Sequence, residues 1–231
     1  MSSGVLSLGG FAILRPAARR IALRAPMLLI AISAFPSACA PRAVPLEGVP
    51  APAESLPSIA LAPGNRRLVF RWDYEENSLI ARGEGAIRMA SPDSARVDLF
   101  LNGGIAVGYA ILIGDKLRST NQSQVQKFLP PPPMMWAALG RLAIPALPDT
   151  VVTTDGQMIY ADIGRPTTWR VRIRGTRLMQ LSRIDNGRIA ESVTRDEGGR
   201  LLYEVPGRRK LWLGITRDEE VGSFEAAIWG P

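Results

Sequence analysis

From residue 68 onward, apolar and polar residues alternate in short runs, and a turn signal interrupts the alternation about every ten residues. Side chains with a period of two belong to extended strands, and a helix cannot put such a pattern on one face. LVFRWDYEE (Leu68 to Glu76) alternates around Leu68, Phe70, Trp72 and Tyr74, and LIARGEGAIRMA (Leu79 to Ala90) resumes the period after Asn77-Ser78. SPDS turns the chain into ARVDLFL (Ala95 to Leu101), and Asn102-Gly103, the strongest hairpin signal present, returns it into IAVGYAILIG (Ile105 to Gly114). These pieces predict an antiparallel meander. A second series, GQMIYADI, TWRVRIRG, RLMQLSRID, RIAESVTRD, RLLYEVPG and KLWLGITRD, is punctuated by Gly164, Gly175, Asn186-Gly187, Gly198-Gly199 and Gly207. That spacing predicts a sandwich or barrel of ten or so strands.

Between the two series the pattern breaks. Pro130 to Pro133 precede MMWAALGRLAI, and proline in the first turn followed by a glycine near the end predicts a helix from Pro133 through Leu139, with Gly140 closing it. Met134, Met135, Trp136 and Leu139 make this helix apolar nearly all round. It must cover something or be covered, either as a lid over an apolar cavity or as ordinary filled core. Pro145 and Pro148 set it off from the second series of strands. Leu99, Leu101 and Ile111 are the strand residues expected to line such a cavity.

The N-terminal region has a different organisation. Arg15, Arg19, Arg20 and Arg24 precede an apolar run from Ala25 to Ala38 that ends in Ser37-Ala38, the layout of a secretory signal. The run is roughly fourteen residues, short of the twenty or so that span a bilayer as a helix. Cys39, the only cysteine in the chain, follows immediately. A buried thiol and a reactive nucleophile are alternatives, but a cysteine at this place resembles the lipobox of bacterial lipoproteins, in which the thiol is acylated and the chain is cut before it. Pro36 stands where those proteins usually have leucine. Residues 1–38 are therefore expected to be a lipoprotein signal peptide, residues 39–65, rich in Pro and Ala, an extended tether, and residues 66–231 one folded domain.

Charge and composition exclude more than they establish. The formal charge of +7 comes from 28 basic and 21 acidic residues, and four of the arginines precede Cys39, so 24 against 21 leaves +3 afterwards. No nucleic-acid partner is expected on that balance. With no histidine in the chain, imidazole-based triads and zinc sites are impossible. Carboxylate pairs such as Asp73 with Glu75, Glu75 with Glu76, or Asp218 with Glu219 and Glu220 read as solvated strand ends, and a glycosidase built on them is a distant alternative. The arginine series Arg170, Arg172 and Arg174 reads as a solvated sheet face that discourages edge pairing. No catalytic residue, metal site or cofactor is expected.

The lipobox, the block ARGEGAIRMASPDSARVDLFLNGG with the following AILIGDKL, the apolar helical insert and the second run of strands together resemble the LolA-like and LolB-like lipoprotein carriers and receptors of the outer membrane. The resemblance spans Leu68 to about Trp229. It implies a mainly β fold, an unclosed antiparallel barrel capped by a short helical lid over an apolar cavity. It also implies acyl chains of lipoproteins or lipids as ligand, a periplasmic carrier as partner, and an anchored position on the outer membrane facing the periplasm. The family's basic residue before a proline has its nearest counterpart in Arg88, several places ahead of Pro92 instead of one. The apolar residue that protrudes toward the membrane in the receptors has its counterpart in Ile105, which can equally begin the next strand. A structural lipoprotein whose barrel is filled by its own side chains is the alternative from another class. Acylation of Cys39 carries a direct test: Cys39→Ala should move the protein from the membrane fraction to the periplasmic fraction. Unchanged sedimentation with membranes would point to a retained anchor.

Overall fold

The computed structural model describes residues 42–119, 129–145 and 147–230. Cys39 and the segment before it lie outside the described residues. Among the described residues, thirteen strands form one antiparallel sheet: β1 (Val49–Ala51), β2 (Asn65–Glu76), β3 (Leu79–Ala90), β4 (Ser94–Leu101), β5 (Ile105–Ile113), β6 (Lys116–Ser119), β7 (Thr150–Asp155), β8 (Met158–Ile163), β9 (Trp169–Arg174), β10 (Arg177–Asp185), β11 (Arg188–Arg195), β12 (Leu201–Val205) and β13 (Arg209–Val221). The spatial order is β1-β7-β8-β9-β10-β11-β12-β13-β2-β3-β4-β5-β6. The two end strands, β1 and β6, are not neighbours, so the sheet is an open barrel. Two meanders, β2 to β6 and β7 to β13, are joined through the pairing of β13 with β2.

Alternation along the strands directs one set of side chains inward. Leu68, Phe70, Trp72 and Tyr74 of β2, Ile87 and Met89 of β3, Ala95, Val97 and Leu99 of β4, and Val193, Leu201, Tyr203 and Leu211 of β11 to β13 belong to one buried cluster. Glycines on β3 make room for the aromatic rings. Phe70 stands opposite Gly85 and Trp72 opposite Gly83 in the ladder, and a Cβ on Gly85 would lie 2.2 Å from the Phe70 ring and 2.8 Å from the Asp98 carbonyl oxygen. The GEG of the early block is thus a packing requirement: the rings lie over the backbone of β3.

The opposite face is polar and internally paired. Arg170 grips Asp162 across the ladder with Nε–Oδ1 at 2.7 Å and Nη2–Oδ2 at 2.8 Å, Arg172 reaches Gln180, and Arg174 meets Glu197. Arg88 and Arg96 both bind Asp98 on this face, so Arg88 is directed away from the sheet's interior. Arg88 thus occupies the outward register of β3.

Three strands escape the sequence pattern. VTTDGQ reads as a turn, yet Thr150–Asp155 is β7 and only Gly156-Gln157 turns; GDKL likewise turns at Gly114-Asp115 and then pairs as β6. The ordered body also begins well before the Arg66 boundary. Residues 42–47 cross the outer face: Ala43 N–H donates to the Gly187 carbonyl, Arg170 to the Val44 carbonyl, and the Thr153 hydroxyl to the Glu47 carbonyl. Val49–Ala51 then pairs with β7, and Ile59 and Leu61 enter the core. Proline-rich composition hides this, because β1 is only three residues long and the apolar residues beyond it carry no period.

Candidate functional site

The connection from β6, at one edge of the sheet, leads to β7, beside the other edge strand β1, and its described part lies on the apolar inner face. Helix α1 (Pro132–Ala138) forms there, with Pro131 in extended conformation as its N-cap and prolines at its first positions. It ends in a Schellman motif: the Arg141 N–H bonds the Trp136 carbonyl at 2.9 Å, the Gly140 N–H bonds the Ala137 carbonyl at 3.1 Å, and Gly140 takes φ +87°. Only glycine adopts that turn without strain.

Each face of α1 has its own neighbour. Met135, Ala138 and Leu139, spaced three and four apart, border a cavity of about 150 Å³ together with Phe70, Trp72, Leu99 and Tyr203. Ala137 turns toward Leu178, Leu181 and Val193. Met134 and Trp136 are fully buried and do not border the cavity. The Trp136 indole N–H donates to the Gly114 carbonyl at 2.6 Å, and the Arg141 guanidinium stacks on its ring. Arg195 of β11 holds the other end, donating from Nη2 to the Ala138 carbonyl at 2.8 Å. Behind the helix, the Leu142 N–H bonds the Ile59 carbonyl, so the segment expected to be a free tether covers the lid.

Of the strand residues expected at the cavity, Leu99 lines it and Leu101 stands at its border, 37% exposed. Ile111 faces Arg96 and Arg118 in the ladder, outside the inner cluster, so its burial belongs to the other face. Ile105 fits both descriptions: it opens β5, and it is 64% exposed beside the Asn102–Gly104 turn.

The cavity's polar neighbours are turned away from it. The Tyr203 hydroxyl donates to Glu191 at 2.8 Å, and Arg183 completes that carboxylate at 2.6 Å. The Tyr74 hydroxyl donates to Glu76, which Arg208 and Arg209 also bind. Burial, reinforced by Glu76, pushes the Tyr74 phenol up to about 12, and burial beside Glu191 raises Tyr203 as well. Both phenols therefore stay neutral and present ring faces inward. The sequence pattern singles out α1 but not these aromatics of β2 and β12, nor Arg195. The glycines opposite Phe70 and Trp72 are the available signal.

A second cavity of about 250 Å³ adjoins the first, sharing Ile87, Ala138, Leu139, Leu201 and Leu213 as a partition. Its other walls include Leu61, Leu68 and Met89, with Arg66, Ser91, Arg195 and Asp218 as polar members. Arg66 is held by Asp218 at 2.6 Å.

The fold has a counterpart among known structures. A LolA superfamily protein from Nitrosomonas europaea superposes with a TM-score of 0.51 at 9% identity, over 75% of this chain and 93% of that one. A DUF1329 family protein from Desulfovibrio piger gives 0.41 at 9% identity over 73% and 90%. A domain from Vibrio parahaemolyticus described as outer membrane lipoprotein-sorting gives 0.36 at 7% identity over 72% and 89%. No protein-family model matches the sequence, and no curated protein matches it either. At such identities the likeness is one of fold, and the fold is LolA-like, as the order of elements implied.

The anchoring of α1 gives a measurable consequence. Trp136→Ala should cost about 3–5 kcal/mol in denaturant unfolding, because it removes a buried ring and leaves the Gly114 carbonyl without its donor. Leu139→Ala, at the partition, should cost less. A Trp136→Ala loss below about 1 kcal/mol would show that the helix is not bolted at this residue.

Proposed function

We propose that this is a lipid-anchored protein of the bacterial envelope that takes acyl chains of a lipoprotein or related lipid into the apolar cavity and passes them on without chemistry. The observation that carries the reading is an apolar space between an open sheet and a separately anchored helix, with an exposed apolar rim at one end. A space of about 150 Å³ admits a group the size of benzene. A full chain must therefore displace the Leu139 partition and enter the second cavity. Each methylene buried contributes about 0.8 kcal/mol, so affinity accumulates without directional contacts.

The rim is set by the ladder. Glu76 pairs with Leu79, Gly83 with Leu101 and Leu101 with Ile105, which brings the β2–β3 and β4–β5 turns to the same end. Leu79, Ile80, Leu101 and Ile105 are all exposed there, Ile80 at 67%. The β12–β13 turn before Arg209 and the β10–β11 turn at Asn186-Gly187 share that end, since Arg209 pairs with Glu76 and Ser192 with Glu204. Arg42 bridges to Arg188 beside the last of these turns. Cys39 precedes Arg42 by three residues, a reach of about 11 Å at full extension. An acyl anchor at Cys39 would therefore bring the apolar rim to the bilayer, with arginines of the turns toward the headgroups. The opposite end would face the periplasm and a carrier protein.

Fluorescent fatty-acid titration of the purified chain tests the cavity, and vesicle co-sedimentation tests the rim. Saturable probe uptake is expected, reduced by Ala138→Trp, which fills the space beside the helix. Ile80→Glu with Ile105→Glu should weaken vesicle binding while leaving thermal unfolding nearly unchanged, because both side chains are already exposed. Absence of any acyl uptake by the wild type would replace this reading with that of a structural lipoprotein.

A further inference from the structure

Inward-facing positions of β11 run Glu191, Val193, Arg195 along the sheet. Glu191 is satisfied by Tyr203 and Arg183, and Val193 borders the first cavity. Arg195 borders the second. Its guanidinium is half-buried, donates to the Ala138 carbonyl and, among the described residues, forms no ion pair. Asp196, its neighbour in sequence, is occupied by the Arg200 backbone N–H at 2.8 Å. Across the same cavity, Arg66 is paired with Asp218. Two guanidiniums and one carboxylate thus surround a space whose remaining walls are mostly apolar. Burial, with Arg177 nearby, depresses the Arg195 pKa, yet a guanidinium in a protein does not give up its proton. The charge therefore stays, with Asp196 the nearby opposite charge but no carboxylate in an ion pair with it among the described residues. A half-buried cation of this kind, with N–H donors beyond the one used on the helix, favours an anionic oxygen group.

Distance along the strands adds direction. Arg66 and Tyr74 both face inward on β2, eight residues apart, which is about 26 Å at strand rise. The second cavity lies at the Arg66 end and the first at the Tyr74 end, toward the exposed apolar turns.

We propose that the second cavity binds the anionic head, carboxylate or phosphate, of a single-tailed amphiphile at Arg195 with Arg66 beside it, while the tail passes Leu139 into the apolar cavity. This rests on the acyl-chain reading above and narrows its ligand. The tail then points toward the end with the apolar rim, so the amphiphile leaves tail-first.

The test is competition against the neutral probe N-phenyl-1-naphthylamine on the purified chain, using laurate, dodecyl phosphate, dodecanol and inorganic phosphate. Laurate and dodecyl phosphate should displace the probe at least about tenfold more tightly than dodecanol, the worth of one good charge-assisted contact. Inorganic phosphate alone should not displace it. Arg195→Met should bring the three dodecyl ligands to within about twofold of one another, and Arg195→Lys should retain part of the preference. Equal affinity of the wild type for all three overturns the head site and leaves the acyl cavity standing; Arg195 then serves only to hold α1. Displacement by inorganic phosphate as strong as by dodecyl phosphate overturns the link between head and tail. Failure of every dodecyl ligand overturns the acyl-chain reading itself. The wild-type comparison decides these points even where Arg195→Met fails to fold.

Discussion

The pairing of β13 with β2 is the constraint on which the rest depends. It joins the last long strand to the first, from Arg209 opposite Glu76 to Val221 opposite Asn65, and so places the two meanders side by side. β6 then lies at one edge of the sheet and β7 beside the strand at the other edge, and the chain passes from one to the other. That passage carries the proline-flanked helix, which therefore lies across the apolar face instead of extending the sheet. A helix of seven residues has little stability of its own, so its form depends on tertiary anchors. Trp136 to the Gly114 carbonyl fixes it near β5 and β6, and Arg195 to the Ala138 carbonyl fixes it to β11. Helix and sheet meet without filling the space between them, and the cavity is the result.

That space is apolar because the polar groups around it have other partners. Tyr74 and Tyr203 contribute ring faces while their hydroxyls bind Glu76 and Glu191, and each carboxylate is completed by arginine. Such satisfied pairs are costly to break one side at a time, which keeps the cavity wall in one arrangement. Arg195 is the contrast: half-buried, it serves a helix carbonyl and has donors to spare. An apolar compartment next to one lined by two arginines and one carboxylate is the geometry from which the amphiphile proposal is drawn.

Much of this is legible in the residues, and the exceptions have physical causes. Ten of the strands come from period-two alternation and turn chemistry, and α1 from prolines ahead of an apolar run closed by Gly140. The role of Trp136 is not legible, since facing the cavity and bolting the helix to Gly114 require the same residue type. Arg195 ends a strand whose sequence, RIAESVTRD, reads as ordinary polar alternation; its inward register comes from pairing with Leu201. Residues 42–61 mislead in a different way. Their Pro and Ala content suits an extended spacer, and apart from the 3-10 turn at Ala53–Ser55 they are largely extended, but the segment wraps the outer face and ends behind the helix. No local pattern records what an extended segment packs against.

Photolabelling tests the central claim most directly. A fatty acid carrying a diazirine near the end of its tail is bound to the purified chain, irradiated, and located by peptide mass spectrometry. The account expects labels on inner-face residues of β2, β4 and α1, among them Trp72, Leu99 and Leu139, and their loss when unlabelled laurate competes. Labels confined to the outer face, or unaffected by the competitor, would contradict it.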